Sequence, residues 1–296
     1  MHKSGFVAII GRPNVGKSSL MNNIIGNHLS IISSTSQTTR NSIKGIYNDD
    51  ESQIVFIDTP GIHKPQNSLG EFMNKQSLNS LNDCDCVLWI VDASSDYGSG
   101  DMFVANLLAD VSVPIILVLN KMDLVDINDN KFIENKNQFE NSCKFEKIEY
   151  ISCTNNQNID TLLKDLKNIL PEGPAYYDKD QISDSIERFI ISEIIREKII
   201  YLTKEEIPHS VAVEIEEMKE NEDNVEIYAC IVCERESQKK ILVGAKASMI
   251  KKIKQYSKRD IQKLLACSVY LELFVKVDNN WRNNKSSLAR LGYKNK

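Results

Sequence analysis

No apolar run in this chain of 296 residues approaches the roughly 20 consecutive residues that a membrane-spanning helix needs. The opening Met1-His2-Lys3-Ser4-Gly5 runs at once into an apolar, strand-like stretch, so no targeting segment is expected. Histidine is scarce. His2, His28, His63 and His209 have no metal-ligand spacing. Seven cysteines, an odd number without a secretory context, point to reduced thiols and a cytoplasmic protein rather than to a disulfide framework. Cys230 and Cys233 form a Cys-x2-Cys, but no second pair completes a zinc site. Residues three apart on a strand face opposite sides, so both are expected as buried structural thiols.

Net charge is −5, and its distribution is more telling than its size. Residues 1–180 hold 15 basic and 23 acidic side chains, and residues 181–296 hold 21 and 18. Within the second part, Arg235, Lys239, Lys240, Lys246, Lys251, Lys252, Lys254, Lys258, Arg259 and Lys263 face only Glu236 and Asp260 in the same stretch. Such a patch seeks an anionic partner.

Four short segments carry the chemistry. Gly11-Arg12-Pro13-Asn14-Val15-Gly16-Lys17-Ser18 fits the phosphate-binding pattern Gly-x4-Gly-Lys-Ser/Thr, between a strand-like run at 6–10 and a helix at 19–25 that Gly26 stops. Backbone N–H groups of such a loop, at a helix N-terminus, face phosphates. Lys17 would reach the β and γ phosphates, and the Ser18 hydroxyl would sit on Mg2+. Asp58, at the end of the apolar run 54–57, opens Asp58-Thr59-Pro60-Gly61; its carboxylate can hold the metal through water, and Gly61 can turn its N–H toward a γ-phosphate. Asn120-Lys121-Met122-Asp123 follows the apolar run 115–119. Asp123 can accept from N1–H and the exocyclic amine of guanine, whereas adenine presents an acceptor at N1, so ATP would leave a buried carboxylate unpaired. Lys121 would lay its stem along the base, and Asn120 would tie this loop to the phosphate loop. Ser152-Cys153-Thr154, after a strand-like run at 148–151, can supply a backbone N–H to guanine O6. The order and spacing of the four predict a GTPase.

Strand-like runs at 6–10, 42–47, 53–57, 86–92, 114–119 and 148–151, separated by helix-length stretches, predict a doubly wound, mostly parallel α/β sheet with one antiparallel edge made by the hairpin at 48–51. The Asn-rich stretch 126–142 has the weakest signal, with Phe132, Ile133 and Phe139 able to pin a helix. A helix at 162–170 ends at Pro171 and Pro174. The expected domains are 1–172, a linker at 173–182, and 183–296. The last reads as an amphipathic helix at 185–202, with a stripe of Ile186, Phe189, Ile190, Ile194 and Ile195, then strands at 210–218 and 225–234, helices at 237–243 and 248–265, and a strand at 268–277. That is the order of an α+β type II KH domain, which clamps single-stranded RNA beside the loop between its two helices.

The chain resembles the Era family of bacterial GTPases over about residues 5–293. Besides the nucleotide motifs, the likeness rests on Gln37-Thr38-Thr39-Arg40, on Ile62-His63 after Gly61, on the run 234–239, on the strand 271–277, on Trp281 and on Leu291-Gly292-Tyr293. The resemblance implies a P-loop GTPase domain followed by a KH domain, acting as a nucleotide-controlled switch on small-subunit rRNA near its 3′ end during 30S subunit assembly, as a monomer. It implies GTP/GDP and Mg2+ as cofactors, with Ser18, Thr39 and Asp58 on the metal. Gly11, Asn14, Val15, Gly16, Lys17, Ser18, Ser19, Asp58, Gly61, Asn120, Lys121, Asp123, Ser152, Cys153 and Thr154 form the nucleotide site. Ile62 stands where many GTPases carry a water-orienting glutamine. The resemblance therefore implies slow hydrolysis carried by Lys17, Thr39, Gly61 and Asn14, the last holding K+. RNA is assigned to Arg235, Lys239, Lys240, Gly244, Ala245, Lys246, Ala247, Lys251 and Lys252.

Two departures from the family pattern stand out. Cys153 replaces the usual alanine, at a position where the donor is a backbone N–H. The KH loop pattern Gly-x-x-Gly reads Gly244-Ala245-Lys246-Ala247 here. A closing Cβ hinders close approach to phosphate or a positive φ, unless position 247 already belongs to the next helix, where alanine is favourable. A second reading therefore stays open, a G-protein switch bound to a protein or to the inner membrane surface through the basic helix.

Overall fold

The computed structural model describes residues 2–33 and 38–293. Among these the chain divides into two compact units, residues 1–65 with 73–184 and residues 66–72 with 185–296.

The first unit is built on a six-stranded sheet. In chain order its elements are β1 (Lys3–Ile10), α1 (Lys17–Ile25), β2 (Ile43–Asn48), β3 (Ser52–Asp58), α2 (Ser68–Asn82), β4 (Cys86–Asp92), α3 (Ser99–Leu108), β5 (Ile115–Asn120), α4 (Asn130–Glu140), β6 (Lys147–Tyr150) and α5 (Ile159–Ile169). The start of α2 falls in the second unit. Strand order is β2-β3-β1-β4-β5-β6, with β2 alone antiparallel to its neighbour. The central strands are largely apolar on both faces and almost entirely buried, as a sheet covered by helices on both sides requires. Asp58, Asp92 and Asn120 close β3, β4 and β5 at their C-terminal ends, the edge where open α/β sheets bind ligands.

The Asn-rich stretch is more ordered than its composition suggests. Asp129 caps α4 by accepting from the Lys131 N–H at 3.0 Å. Phe132 and Phe139 are buried, whereas Ile133 is exposed to solvent. Phe139 meets Trp89 and Tyr97 edge-on, with centroids 6.0 and 4.9 Å away. Two apolar anchors, two turns apart on one face, thus fix the helix.

The segment 173–182, expected as a linker, folds back on the first unit. The Gln53 side chain accepts from the backbone N–H of Tyr176 and Tyr177 at 2.6 and 3.0 Å. Ile46 donates its N–H to Ile182 O at 2.9 Å. These are long-range contacts of irregular backbone, invisible to periodicity.

The second unit contains α6 (Glu187–Leu202), α7 (Ile207–Ser210), β7 (Ala212–Glu220), β8 (Asn224–Cys233), α8 (Glu236–Val243), α9 (Ser248–Leu265), β9 (Ser268–Val277) and α10 (Lys285–Arg290). Its sheet runs β7-β8-β9, antiparallel then parallel. One face is covered by the isoleucines of α6 together with Leu242, Ile253 and Ile261. Ile186, expected in the α6 stripe, lies outside the helix and exposed, and the buried stripe is Ile190, Ile191, Ile194, Ile195 and Ile199. The short α7 and α10 were not expected, because four and six residues are too few to show a helical period. Cys230 and Cys233 are buried in β8 and free, in accord with a structural role. Trp281, fully buried, donates its indole N–H to Ser210 O at 2.9 Å and stacks on Tyr293.

Phe139→Ala is expected to destabilise the first unit by about 3–5 kcal/mol, by loss of a buried ring and the cavity left behind. The exposed Ile133→Ala should stay within about 0.5 kcal/mol. Urea unfolding of both variants checks the contrast.

Candidate functional site

The loop after β1, the C-terminal ends of β3 and β5, and the segment after β6 converge on one cleft of about 300 Å3. Its lining includes Asn14, Gly16, Lys17, Ser18, Ser19, Thr39, Gly61, Asn120, Lys121, Asp123, Cys153 and Thr154. Gly11 and Val15 are buried beneath it, with Asp58 and Ser152. All the residues expected in the nucleotide site thus meet at one place.

At the phosphate end, the Lys17 ammonium donates to the carbonyls of Gly11 and Arg12 at 3.1 and 2.6 Å. Burial lowers its pKa to about 8, opposed in part by the charge of Asp58. A phosphate would supply the counter-charge this buried lysine lacks.

The three groups expected on the metal also meet. Ser18 Oγ donates to Asp58 Oδ2 at 2.8 Å, Thr39 Oγ1 donates to the same oxygen at 3.2 Å, and the two hydroxyls lie 3.0 Å apart. Burial raises the Asp58 pKa, countered by the Lys17 charge and the Ser18 hydroxyl. Asp58 Oδ1 is buried with no hydrogen-bond partner among the described residues. An all-oxygen set with an orphaned carboxylate oxygen fits a hard divalent cation such as Mg2+. Gln37 of the expected switch motif lies outside the described residues.

Asn120 joins the two ends. Its side-chain amide donates to Val15 O at 2.8 Å, and its Oδ1 accepts from the Cys153 N–H at 3.1 Å. A Cβ at Gly16 would stand 2.1 Å from Asn120 Nδ2, and Gly16 has φ 107°, so this close approach requires glycine. The Cys153 N–H, expected to be open to the base, is thus already committed to Asn120. Its thiol is pushed up to about 12 by burial and stays neutral.

At the base end, Lys121 holds a left-handed backbone, φ 66°, and its ammonium lies 2.5 Å from Asp92 Oδ2. Asp123 accepts a hydrogen bond from Ser152 Oγ. The Asp123 residue is exposed rather than buried, so its discrimination against adenine acts once a base covers it. Sequence reasoning missed Asn23, Ile32 and Leu124, which also line the cleft. Asn23 stands four residues after Ser19 on the same face of α1, a helical spacing that could have found it. Ile62 is buried in the core and presents no polar group to the cleft.

In the second unit, Gly244, Lys246 and Ala247 have φ of 73°, 50° and 60°. Ala247 precedes α9 as its left-handed N-cap, so the favourable helical placement is not realised, and its Cβ sits where an L-residue is strained by about 1–2 kcal/mol. Ala245, Lys246, Lys251 and Lys252 are exposed at or near the N-terminus of α9, where the helix dipole favours an anion. Lys239 and Lys240 lie on α8. Arg235 caps the far end of α8, about 12 Å from the loop at ~1.5 Å per residue. It stands one turn from Lys239, whose N–H donates to Arg235 O at 3.1 Å, but apart from the loop and the lysines of α9.

Among the described residues no His/Cys/Asp/Glu cluster could hold a further metal, and no helix is long and apolar enough to cross a membrane.

A family model described as a 50S ribosome-binding GTPase matches residues 6–121, and a KH domain model matches residues 206–282. A solved structure of Era in complex with MgGDPNP and nucleotides 1506–1542 of 16S ribosomal RNA is 36% identical, covers 100% of both chains and superposes with a TM-score of 0.93. An Aquifex aeolicus Era with a tyrosine-to-alanine substitution, bound to GDP and AlF4−, is 36% identical over 99% of this chain and 100% of its own, with a TM-score of 0.92. With the nucleotide cleft and the KH fold reproduced over its full length at this identity, the chain belongs to the Era family of GTPases.

Proposed function

We propose that the chain is a GTP-hydrolysing switch that binds the 3′ region of small-subunit rRNA through its KH domain and acts in assembly of the 30S subunit. The observation that carries the reading is the convergence of Lys17, Ser18, Thr39, Asp58, Asn120 and Asp123 on one cleft, in a chain that also holds a KH unit with a basic loop and helix. The relative that shares its full length was solved with MgGDPNP and 16S rRNA nucleotides.

In this reading the loop around Gly16 and the Lys17 ammonium bind the phosphates, and Asp123 selects guanine. Ser18, Thr39 and Asp58 would hold Mg2+, which when bound neutralises phosphate charge. Water attacks the γ-phosphorus, the bond to the β–γ bridging oxygen breaks, and GDP leaves with the electron pair while the water's proton passes to product. Ile62, directly after Gly61, is apolar and buried and cannot orient that water, so hydrolysis rests on stabilising charge. Asn14, exposed on the cleft in a left-handed conformation, φ 63°, is assigned to hold K+, which when bound adds positive charge beside the phosphates. RNA is read by Gly244, Ala245, Lys246, Ala247, Lys251 and Lys252, with Lys239, Lys240 and the more distant Arg235 as auxiliary phosphate contacts. The protein is read as a cytoplasmic monomer with domains at 1–172 and 183–296. Contact of the lysines of α9 with anionic lipid on the cytoplasmic face of the inner membrane is a subordinate part of the reading.

Three outcomes are expected. Asp123→Asn should weaken GTP binding by on the order of 100-fold and gain affinity for xanthosine triphosphate, measured by nucleotide titration. Hydrolysis should be faster in K+ than in Na+ buffer, and Asn14→Ala should abolish the difference; equal rates in wild type would remove the cation role. Ala247→Gly should relieve about 1 kcal/mol of loop strain and tighten binding of a single-stranded copy of the rRNA 3′ end about fivefold at ~0.15 M salt, with a scrambled RNA unaffected.

A further inference from the structure

Arg12 belongs to the phosphate loop, yet its side chain does not line the cleft. Its Nε lies 2.8 Å from Asp101 Oδ1, a close ion pair in which neither atom is aligned for a hydrogen bond, and its Nη2 donates to Ser95 Oγ at 3.0 Å. Asp101 is fully buried in the first turn of α3, and its other oxygen accepts from the Gly98 N–H at 3.0 Å. A Cβ at Gly100 would come within 2.7 Å of Arg12 Cδ, so glycine there clears the path of the arginine. Ser95 in turn donates to Asp92 O at 3.1 Å. The main-chain carbonyl of Arg12 is the nearer of the two acceptors of the Lys17 ammonium, at 2.6 Å. One residue is therefore clamped on its side-chain end by α3 and grips the phosphate-binding lysine on its backbone end.

With Arg12 half-buried and Asp101 fully buried, such an ion pair adds little net stability compared with apolar packing, because the charges lose hydration. What it does supply is a restricted geometry, since the planar guanidinium must sit against the Asp101 carboxylate and donate to Ser95 Oγ at once. The ammonium it indirectly orients is the charged group of the loop that reaches the β and γ phosphates.

We propose that Arg12 is a positioning residue for phosphate binding: held by Asp101 and Ser95, it fixes the carbonyl that aims Lys17, and so makes the start of α3 part of the nucleotide site. This rests on the reading of the cleft as a GTP site. The clamp acts through Lys17, and a nucleotide without a β-phosphate does not use that lysine fully. Loss of the clamp should therefore be felt by GDP and much less by GMP.

The test is the affinity for GDP and for GMP, with Mg2+, of the full chain and of Arg12→Ala, Asp101→Asn, Ser95→Ala and Arg12→Lys, together with their unfolding temperatures. Arg12→Ala and Asp101→Asn are each expected to weaken GDP about tenfold and GMP less than about twofold. The double variant should lose no more than either alone, since both break one clamp. Arg12→Lys should recover part of the loss, and Ser95→Ala, which removes one hydroxyl, should weaken GDP about threefold. Should Arg12→Ala not fold, Ser95→Ala and Arg12→Lys carry the same contrast. The proposal is overturned if GDP affinity stays within twofold of wild type, or if GDP and GMP weaken by the same factor. Failure of the wild-type chain to bind GDP would instead overturn the nucleotide reading.

Discussion

The side-chain amide of Asn120 is the contact on which the site depends. Its nitrogen holds the phosphate loop through Val15 O, and its oxygen holds the segment after β6 through the Cys153 N–H. Phosphate recognition and base recognition are separate chemistries on loops far apart in sequence. Without this bridge each loop could satisfy its own backbone groups and still present them at the wrong distance. The requirement reaches back into the sequence, since Gly16 is compelled by the closeness of Asn120 as much as by the phosphate it would face. Binding sites that must hold a ligand by both ends are made specific by such cross-links, because they remove the freedom of one half to adapt to a poor ligand at the other.

Charge in this cleft is arranged ahead of the ligand. The Lys17 ammonium rests on carbonyls, and the Asp58 carboxylate is met by two hydroxyls with one oxygen left over. Each half is under-neutralised, one for an anion and the other for a cation. A phosphate–metal pair completes both together, so the two should enter cooperatively, each lowering the cost of ordering the site for the other.

Much of this was legible in the sequence, and for identifiable reasons. The central strands of the first unit hold continuous apolar runs, since a sheet covered on both faces has no polar alternation to confuse, and three of the four nucleotide motifs sit directly after such a run. The one antiparallel edge followed from the short turn at 48–51. What was not legible depends on long-range contacts. The anchoring of 173–182 by Gln53, the placing of Ile186 outside its helix, and the short helices α7 and α10 are set by partners distant in the chain. Asp123 was read as buried because selectivity suggests it, whereas the base itself must provide that cover. The backbone of Ala247 was undecided between loop and helix. Three near-consecutive residues of positive φ at Gly244, Lys246 and Ala247 resolve it, and no propensity scale gives alanine that conformation. Arg12 was quoted only as a spacer within a motif, because its partner Asp101 is 89 positions away.

The return of 173–184 along β2 also bears on how the protein keeps to itself. β2 is the outer strand of the six-stranded sheet, and an open outer strand exposes a row of unpaired N–H and C=O groups to any other chain. Here Ile46 is paired to Ile182, and Gly45 bridges Ser183, so the chain covers its own edge. The opposite edge, β6, is guarded by other means, being four residues long and carrying the charged Lys147 and Glu149. A segment that sequence reasoning treats as a passive connector thereby serves as protection against edge-to-edge aggregation.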